Sequence, residues 1–178
     1  MMLYRAIYDY ERAKNHKAKL INFDEVRDKE IVIDGYNVII TLESGLKGKI
    51  LIECDDGFVR DISAIHGKHR ITEFTLKAID LIIEKLKEIS LKNVIFVLDS
   101  KVSKSGELAS LIRKKLTESK IEGTAYTAKK ADVFSLSFKS IIASSDAVII
   151  EKAYKVLDLA GIILKNKLGN RIINIRDP

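Results

Sequence analysis

The sequence predicts an α/β fold with a mostly parallel central sheet, flanked by helices and carrying an inserted β-hairpin. Short continuous apolar runs, typical of strands buried on both faces, alternate with longer segments whose apolar residues recur at helical spacing. An Asp56-Gly57 pair lies between two strand-like runs, 49–55 and 58–62, and it favours the positive φ angles of a type I′ hairpin turn. Because strand and helix patterns alternate along the chain, we expect most of the sheet to be parallel.

Each element is predicted from its own local pattern. The helices have apolar residues three or four positions apart, and the strands are short apolar runs, two of which end directly at an aspartate. In chain order, the pattern predicts a helix with a basic tail over 2–20, a strand at 31–34, the hairpin at 49–62, a helix over 71–90, a strand at 93–98, a helix over 107–119, a strand at 122–127, a strand at 140–143, one helix from 146 to about 159, and a final strand at 171–176. We assign residues 1–29 to an N-terminal helical extension and residues 30–178 to one domain.

Composition limits the class of protein. With 178 residues, 47% of them apolar, the chain is long enough for one well-buried core. Its single cysteine excludes an internal disulfide framework and a cysteine-based zinc cluster. No apolar run has the length of a signal peptide core or of a membrane span. We therefore expect a cytoplasmic protein with no membrane partner, and the sequence is compatible with a homo-oligomer.

The charge balance is basic. Thirty-one lysines and arginines stand against 25 aspartates and glutamates, which gives a net charge of +6. This excess suits a polyanionic partner such as RNA. A lysine-rich composition can equally reflect growth temperature or genome bias, so charge alone does not decide between the two explanations.

Three aspartates occupy equivalent places in the pattern. Asp34 and Asp99 each end a predicted strand, and Asp146 lies just past a third. If these strands are parallel neighbours, their carboxylates meet at the carboxyl edge of one sheet, where ligands bind in open α/β sheets. Asp132, one short segment before the third strand, is placed to join them. Taken singly, each aspartate could instead be a helix N-cap or a turn residue.

Clustered carboxylates need something to offset their repulsion. Two negative charges about 4 Å apart repel by roughly 4 kcal/mol at an effective dielectric constant near 20. Protonation would relieve this repulsion, and so would a hard divalent cation such as Mg²⁺ or Mn²⁺, which prefers oxygen ligands. Such a site suits metal-assisted phosphodiester hydrolysis.

The same residues carry a resemblance to a known family. The segment 32–39, Val-Ile-Asp-Gly-Tyr-Asn-Val-Ile, resembles the opening signature of NYN domains, a branch of the PIN-like nuclease superfamily. Three later segments are similar and come in the expected order: 94–99, 130–132 and 143–146. Within that superfamily, the chain most resembles an uncharacterised prokaryotic family that shares the DGYN opening. On this resemblance the domain at 30–178 is PIN-like, with a Rossmann-like parallel sheet.

The resemblance implies a Mg²⁺- or Mn²⁺-dependent ribonuclease site. Asp34, Asp99, Asp132 and Asp146 would hold the metal and orient water. Asn37 would contact the site or the substrate, and Ser145 would support metal or phosphate. The superfamily often carries an acid on the helix after its first strand. Here the hairpin intervenes before the helix, which leaves Glu73 and Asp80 as alternatives for that role.

Two basic segments are candidates for phosphate contacts. His66, Lys68, His69 and Arg70 cluster before a predicted helix, whose N-terminus favours an anion; a solvated loop is the alternative. Lys101 and Lys104 lie in a serine-rich loop after the second aspartate strand and could cradle phosphate, or that loop could simply cap the next helix. The preferred hypothesis is a metal-dependent ribonuclease, and the alternative is a non-catalytic scaffold that binds RNA or protein.

Overall fold

The strands of the molecule form two sheets. A computed structural model describes residues 7–61, 69–168 and 172–175. Its strands are β1 (Leu20–Ile21), β2 (Glu30–Asp34), β3 (Leu51–Glu53), β4 (Val59–Asp61), β5 (Asn93–Asp99), β6 (Gly123–Ala128), β7 (Ile141–Ala143), β8 (Val156–Leu157) and β9 (Ile172–Asn174). Six of them form a parallel sheet in the order β1-β8-β7-β2-β5-β6, and the others form a small sheet in the order β4-β3-β9.

Helices cover both faces of the parallel sheet. They are α1 (Tyr10–Lys19), α2 (Gly35–Leu46), α3 (Glu73–Leu86), α4 (Ser105–Glu118), α5 (Ala131–Ser137), α6 (Ala147–Lys152) and α7 (Leu159–Leu168). Apolar residues of α2, α3, α4 and α7 pack on one face, and those of α5 and α6 pack on the other. None of the described helices combines the length and the apolar character needed to cross a bilayer. The predicted fold class, a parallel sheet flanked by helices with an added hairpin, is confirmed.

The central strands explain why their sequences read as continuous apolar runs. Along β2, Ile31 and Ile33 enter the larger core, whereas Val32 between them enters the smaller one. The same alternation continues in β5, where Phe96 and Val97 lie on opposite faces. Because both faces are covered by helices, successive side chains are all buried although they point in opposite directions.

The N-terminal segment contributes to the parallel sheet. Helix α1 begins at Tyr10, where the Asp9 carboxylate accepts a hydrogen bond from the backbone N–H of Arg12 at 2.9 Å. Residues 2–6 of the predicted helix lie outside the described residues. Directly after α1, strand β1 pairs with β8 and forms one edge of the sheet. The proposed boundary between residues 29 and 30 stays a prediction.

The prediction of a single helix from residue 146 to about residue 159 is wrong. The structure has three elements there, namely α6, β8 and α7. Strand β8 pairs with β1 on one side and with β7 on the other, and this tertiary pairing outweighs the local helical spacing. Asp158 then opens the next helix, because its carboxylate accepts the backbone N–H of Gly161 at 3.0 Å.

Two expectations around the hairpin also need correction. Helix α2, 12 residues long, lies between β2 and the hairpin, so the hairpin does not directly follow the first strand. The antiparallel hairpin of β3 and β4 is confirmed, but its turn is not type I′. Gly57 has a φ of 93°, whereas Asp56 is not among the described residues with positive φ. The Asp56 carboxylate accepts the backbone N–H of Phe58 at 3.2 Å, and this local bond helps to shape the turn.

We expect Gly123→Ala to destabilise the fold by about 2 kcal/mol through overpacking. Gly123 opens β6 opposite Val94, and a Cβ there would overlap the carbonyl oxygen of Val94, a backbone atom that cannot move aside easily. Urea denaturation would measure the loss. Gly106→Ala is the matched control, because nothing lies within 4 Å of its added Cβ. Equal stability of the two variants would contradict the proposed close approach of β5 and β6.

Candidate functional site

A cleft opens at the carboxyl edge of the parallel sheet. The neighbouring order β7-β2-β5 brings the ends of three strands together, with Ile33 opposite Ala143 and Asp34 opposite Val97. The cleft has a volume of about 430 Å³. Its polar lining consists of Asp34, Tyr36, Asn37, Asp99, Lys101, Lys129, Lys130, Asp132 and Asp146. All four aspartates singled out in the sequence therefore line one cleft.

The carboxyl group of Asp34 is strongly perturbed by its surroundings. Burial raises the pKa of Asp34 to about 7, and the neighbouring carboxylates of Asp146 and Asp132 push it in the same direction. The Ser144 hydroxyl opposes this rise by donating a hydrogen bond to Asp34 Oδ2 at 2.8 Å. Asp34 directly precedes α2, and the backbone N–H of Asn37 in the first turn of that helix also lowers the pKa of Asp34. Near neutral pH its carboxyl group is therefore poised between the charged and uncharged forms.

Asp146 and Asp99 each have one oxygen fixed by the backbone. Asp146 Oδ1 accepts the N–H groups of Val148 at 2.8 Å and Ile149 at 3.2 Å, so it caps α6. Asp99 Oδ1 accepts the N–H of Lys101 at 2.8 Å. The cap and turn interpretations thus apply to one oxygen of each carboxylate. Within the described ranges, the second oxygen of each has no hydrogen bond and remains available to a ligand.

Asn37 and Ser145 are held against each other. Asn37 Oδ1 accepts hydrogen bonds from the backbone N–H of Ser145 at 2.8 Å and from its hydroxyl at 3.2 Å. A backbone N–H can only donate, which identifies the facing Asn37 atom as the oxygen. The carboxamide nitrogen of Asn37 has no hydrogen-bond partner among the described residues. Asn37 therefore brings two unused N–H donors to the cleft that it lines.

Only part of the cationic lining of the cleft was predicted from the sequence. Lys101 lines the cleft as proposed, whereas Lys104 does not line it and instead pairs with Glu107 at 3.3 Å. Lys129 and Lys130 were missed. The available signal was their position directly after Ala128, the last residue of β6, because residues that follow parallel strands gather at the carboxyl edge.

Tyr36, also missed, lies between the cleft and His69, which belongs to the first of the two basic segments. Burial raises the pKa of Tyr36 to about 12, with a further contribution from the Asp99 carboxylate. Its ring packs edge-on against that of His69, with centroids 5.2 Å apart. His69 Nε2 is hydrogen-bonded to Glu43 at 2.9 Å, and Arg70 is exposed and lines no part of the cleft. His66 and Lys68 lie outside the described residues.

The two alternatives for a helical acid lie elsewhere. Glu73 pairs with Lys77 at 3.5 Å, Asp80 pairs with Lys115, and neither lines the cleft. The helix that follows the first strand, α2, carries Glu43 instead. Although burial raises the pKa of Glu43, hydrogen bonds from His69 and other neighbours outweigh it and bring the pKa to about 2. Glu43 is thus a paired, buried carboxylate and does not line the cleft.

The donor set has the chemistry of a Mg²⁺ or Mn²⁺ site. All four acidic side chains offer oxygen, the ligand that these hard cations prefer. In the described part of the chain, no group of three or more acidic, histidine or cysteine side chains is close enough to hold one ion. A Mg²⁺ ion that keeps several waters needs only one or two carboxylates from the protein, and the cleft offers that many.

Comparisons with known proteins place the chain in a family. The model of a domain of unknown function, DUF5616, matches residues 23–162, a range that contains all four cleft aspartates. The chain is also similar to "Uncharacterized protein MJ0935" of Methanocaldococcus jannaschii, with 40% identity over 161 residues that cover 89% of this chain and 76% of that protein. No solved structure matches it. The chain therefore belongs to the DUF5616 family.

Proposed function

We propose that the protein is a Mg²⁺- or Mn²⁺-dependent ribonuclease that hydrolyses phosphodiesters at the aspartate cleft, in the cytoplasm. One observation carries this proposal: four carboxylates far apart in sequence line one cleft, where the pKa of Asp34 is raised to about 7. A buried acid surrounded by like charges is costly to ionise, and a bound cation would remove that cost. Perturbed acids in a cleft are typical of functional sites.

The lining residues would have different roles according to the chemistry of their side chains. One or two of Asp34, Asp99, Asp132 and Asp146 would bind the cation directly, and the others would orient the water molecules that complete its coordination. When bound, the ion would supply Lewis-acid stabilisation of the negative charge that develops on the phosphoryl oxygens. Lys101, Lys129 and Lys130 would bind backbone phosphates, which makes substrate binding salt-sensitive. The free N–H donors of Asn37 would orient a phosphoryl oxygen.

We expect Mn²⁺-stimulated RNA cleavage by the wild-type protein and a loss of roughly 100-fold or more in Asp146→Asn. Asparagine is an equally good helix N-cap, so the variant keeps the fold of α6 while losing a negative charge at the cleft. The assay follows a labelled RNA with Mn²⁺ and with a chelator. Asp24→Asn is the matched control, since the Asp24 side chain is 90% exposed. Equal cleavage by wild type and Asp146→Asn would exclude the proposal and indicate a contaminating nuclease.

A non-catalytic scaffold that binds RNA or protein is the second candidate. It is favoured by the finding that, in the described ranges, no three acidic side chains converge on one point. Calorimetric titration with Mn²⁺ separates the two candidates. Uptake of Mn²⁺ that disappears in Asp34→Asn supports the ribonuclease, whereas wild-type protein that takes up no Mn²⁺ and cleaves no RNA would support the scaffold.

A further inference from the structure

A buried ionic cluster joins α1 to the hairpin. Arg60 donates from its two terminal nitrogens to the two carboxylate oxygens of Asp56, at 2.8 and 2.6 Å. His16 Nδ1 on α1 is hydrogen-bonded to the same carboxylate at 2.8 Å. All three residues are buried, with exposed fractions of 7%, 0% and 1% for Arg60, Asp56 and His16. Such a cluster is costly to desolvate, so a gain in stability does not by itself account for its presence.

The remaining donor of the same guanidinium contacts Ser145, which does not line the cleft itself but lies next to the lining residue Asp146. Arg60 Nε donates to the carbonyl oxygen of Ser145 at 2.8 Å. The N–H and hydroxyl of Ser145 in turn donate to Asn37 Oδ1. Ser145 is thus held from both sides, by Arg60 at its carbonyl and by Asn37 at its N–H. The next residue is Asp146, so the peptide that carries this aspartate is held as well.

We propose that Arg60 is a positioning residue for the cleft, holding Ser145 and through it the carboxamide of Asn37 and the backbone of Asp146. The expected effect on activity rests on the proposed function, whereas the hold of Arg60 on Ser145 does not depend on it. Arg60 lines no part of the cleft, so it would act on the site through Ser145. The hairpin therefore acts as a support for the site, and α1 fixes that support through His16.

Only an arginine satisfies all three acceptors at once. Its planar guanidinium presents Nε and the two terminal nitrogens in a fixed geometry, which matches a carboxylate on one edge while Nε serves the carbonyl. A lysine keeps the positive charge that Asp56 requires, but its single ammonium group cannot reproduce this arrangement. Arg60→Lys is therefore expected to fold while loosening its hold on Ser145.

The test combines hydrogen exchange with kinetics on Arg60→Lys. We expect the Ser145 amide to exchange roughly tenfold faster than in the wild type, as for the loss of a charge-assisted hydrogen bond. We also expect the kcat of Mn²⁺-dependent RNA cleavage to fall about tenfold while KM stays within about twofold, because orientation rather than binding is disturbed. Arg113→Lys is the matched control: Arg113 also donates to a backbone carbonyl, that of Ala125 at 2.6 Å, but it makes no contact with Ser145.

The possible results distinguish a failure of the positioning role of Arg60 from a failure of the proposed function. Unchanged Ser145 exchange, or faster exchange with unchanged kcat, would overturn the positioning role. If neither wild type nor variant cleaves RNA, the proposed function fails, while the exchange of Ser145 still reports whether Arg60 holds it. If Arg60→Lys does not fold, the wild-type Arg60 Nε–H resonance is measured instead. Slow exchange of that proton supports the bond to Ser145, and exchange at the rate of a free guanidinium overturns it.

Discussion

Asp34→Asn is expected to abolish Mn²⁺-dependent RNA cleavage, with a loss on the order of 1,000-fold, and at the same time to stabilise the protein above pH 7. The loss follows because the Asp34 carboxyl group lies in the aspartate cleft within the electrostatic influence of Asp132 and Asp146. Asparagine retains an oxygen that can accept the hydrogen bond from Ser144. Initial rates on a labelled RNA in Mn²⁺ would measure the loss, and cleavage equal to that of the wild type would remove Asp34 from the site.

The stability gain has a defined pH dependence. The pKa of Asp34 is about 7 in the folded protein against an ordinary value of 3.8, so the folded state binds this proton more tightly than the unfolded state. Wild-type stability is therefore lost as pH rises from about 4 to 7, by roughly 2–4 kcal/mol from this group alone. Asparagine does not titrate, so this loss of stability does not occur in Asp34→Asn. Urea denaturation in a chelator should show the variant more stable than wild type at pH 8 and similar to it at pH 4.

The contrary outcome is equally clear. If Asp34→Asn were less stable than wild type at pH 8 without divalent cation, the burial cost assigned to Asp34 would be wrong. Addition of Mn²⁺ gives a second comparison, because a ligand that binds only the folded state stabilises it. Mn²⁺ should raise the melting temperature of the wild type and leave that of Asp34→Asn unchanged. The exposed control Asp24→Asn should respond to Mn²⁺ as the wild type does.

The arrangement of the aspartates could be predicted because it depends on local patterns and one topological rule. The runs at 31–33 and 94–98 are fully buried and apolar, which marks them as central strands of a parallel sheet. Each is followed directly by an aspartate, so both carboxylates are expected at the carboxyl edge of a parallel sheet, and they meet there if the strands are neighbours. The order β7-β2-β5, which makes these strand ends neighbours, is known only from the structure.

Features that depend on distant partners could not be predicted in this way. The break between α6 and β8 arises from pairing with β1, which is more than 130 residues away in the chain. Arg60 and Ser145 are separated by 85 residues, and nothing local to either one indicates the hydrogen bond between them. Periodicity in a single sequence also makes the hairpin look like an insertion. Its link to the cleft is the buried guanidinium of Arg60, which no local pattern indicates.

The buried cluster yields the largest expected effect on stability. Asp56→Ala removes the carboxylate that pairs with Arg60 and is hydrogen-bonded to His16, and leaves both buried without it. Breaking a buried ion pair from one side typically costs about 3–5 kcal/mol, because the remaining charge is uncompensated. We expect a loss of this size in urea denaturation at pH 7. Asp24→Ala, at an exposed position, should change the free energy of unfolding by less than about 0.5 kcal/mol.

The pH dependence and a double variant test the cause of that loss. Although burial raises the pKa of Asp56, the hydrogen bonds and charge of Arg60 outweigh it and hold the pKa below its ordinary value of 3.8. The stabilisation by Asp56 is therefore present above about pH 4 and is lost as pH falls through its folded pKa, so wild type and Asp56→Ala should converge in acid. Adding Arg60→Met to Asp56→Ala removes the stranded charge and should recover part of the loss. A double variant less stable than Asp56→Ala would mean that the packing of Arg60, rather than its charge, holds the hairpin against the cleft.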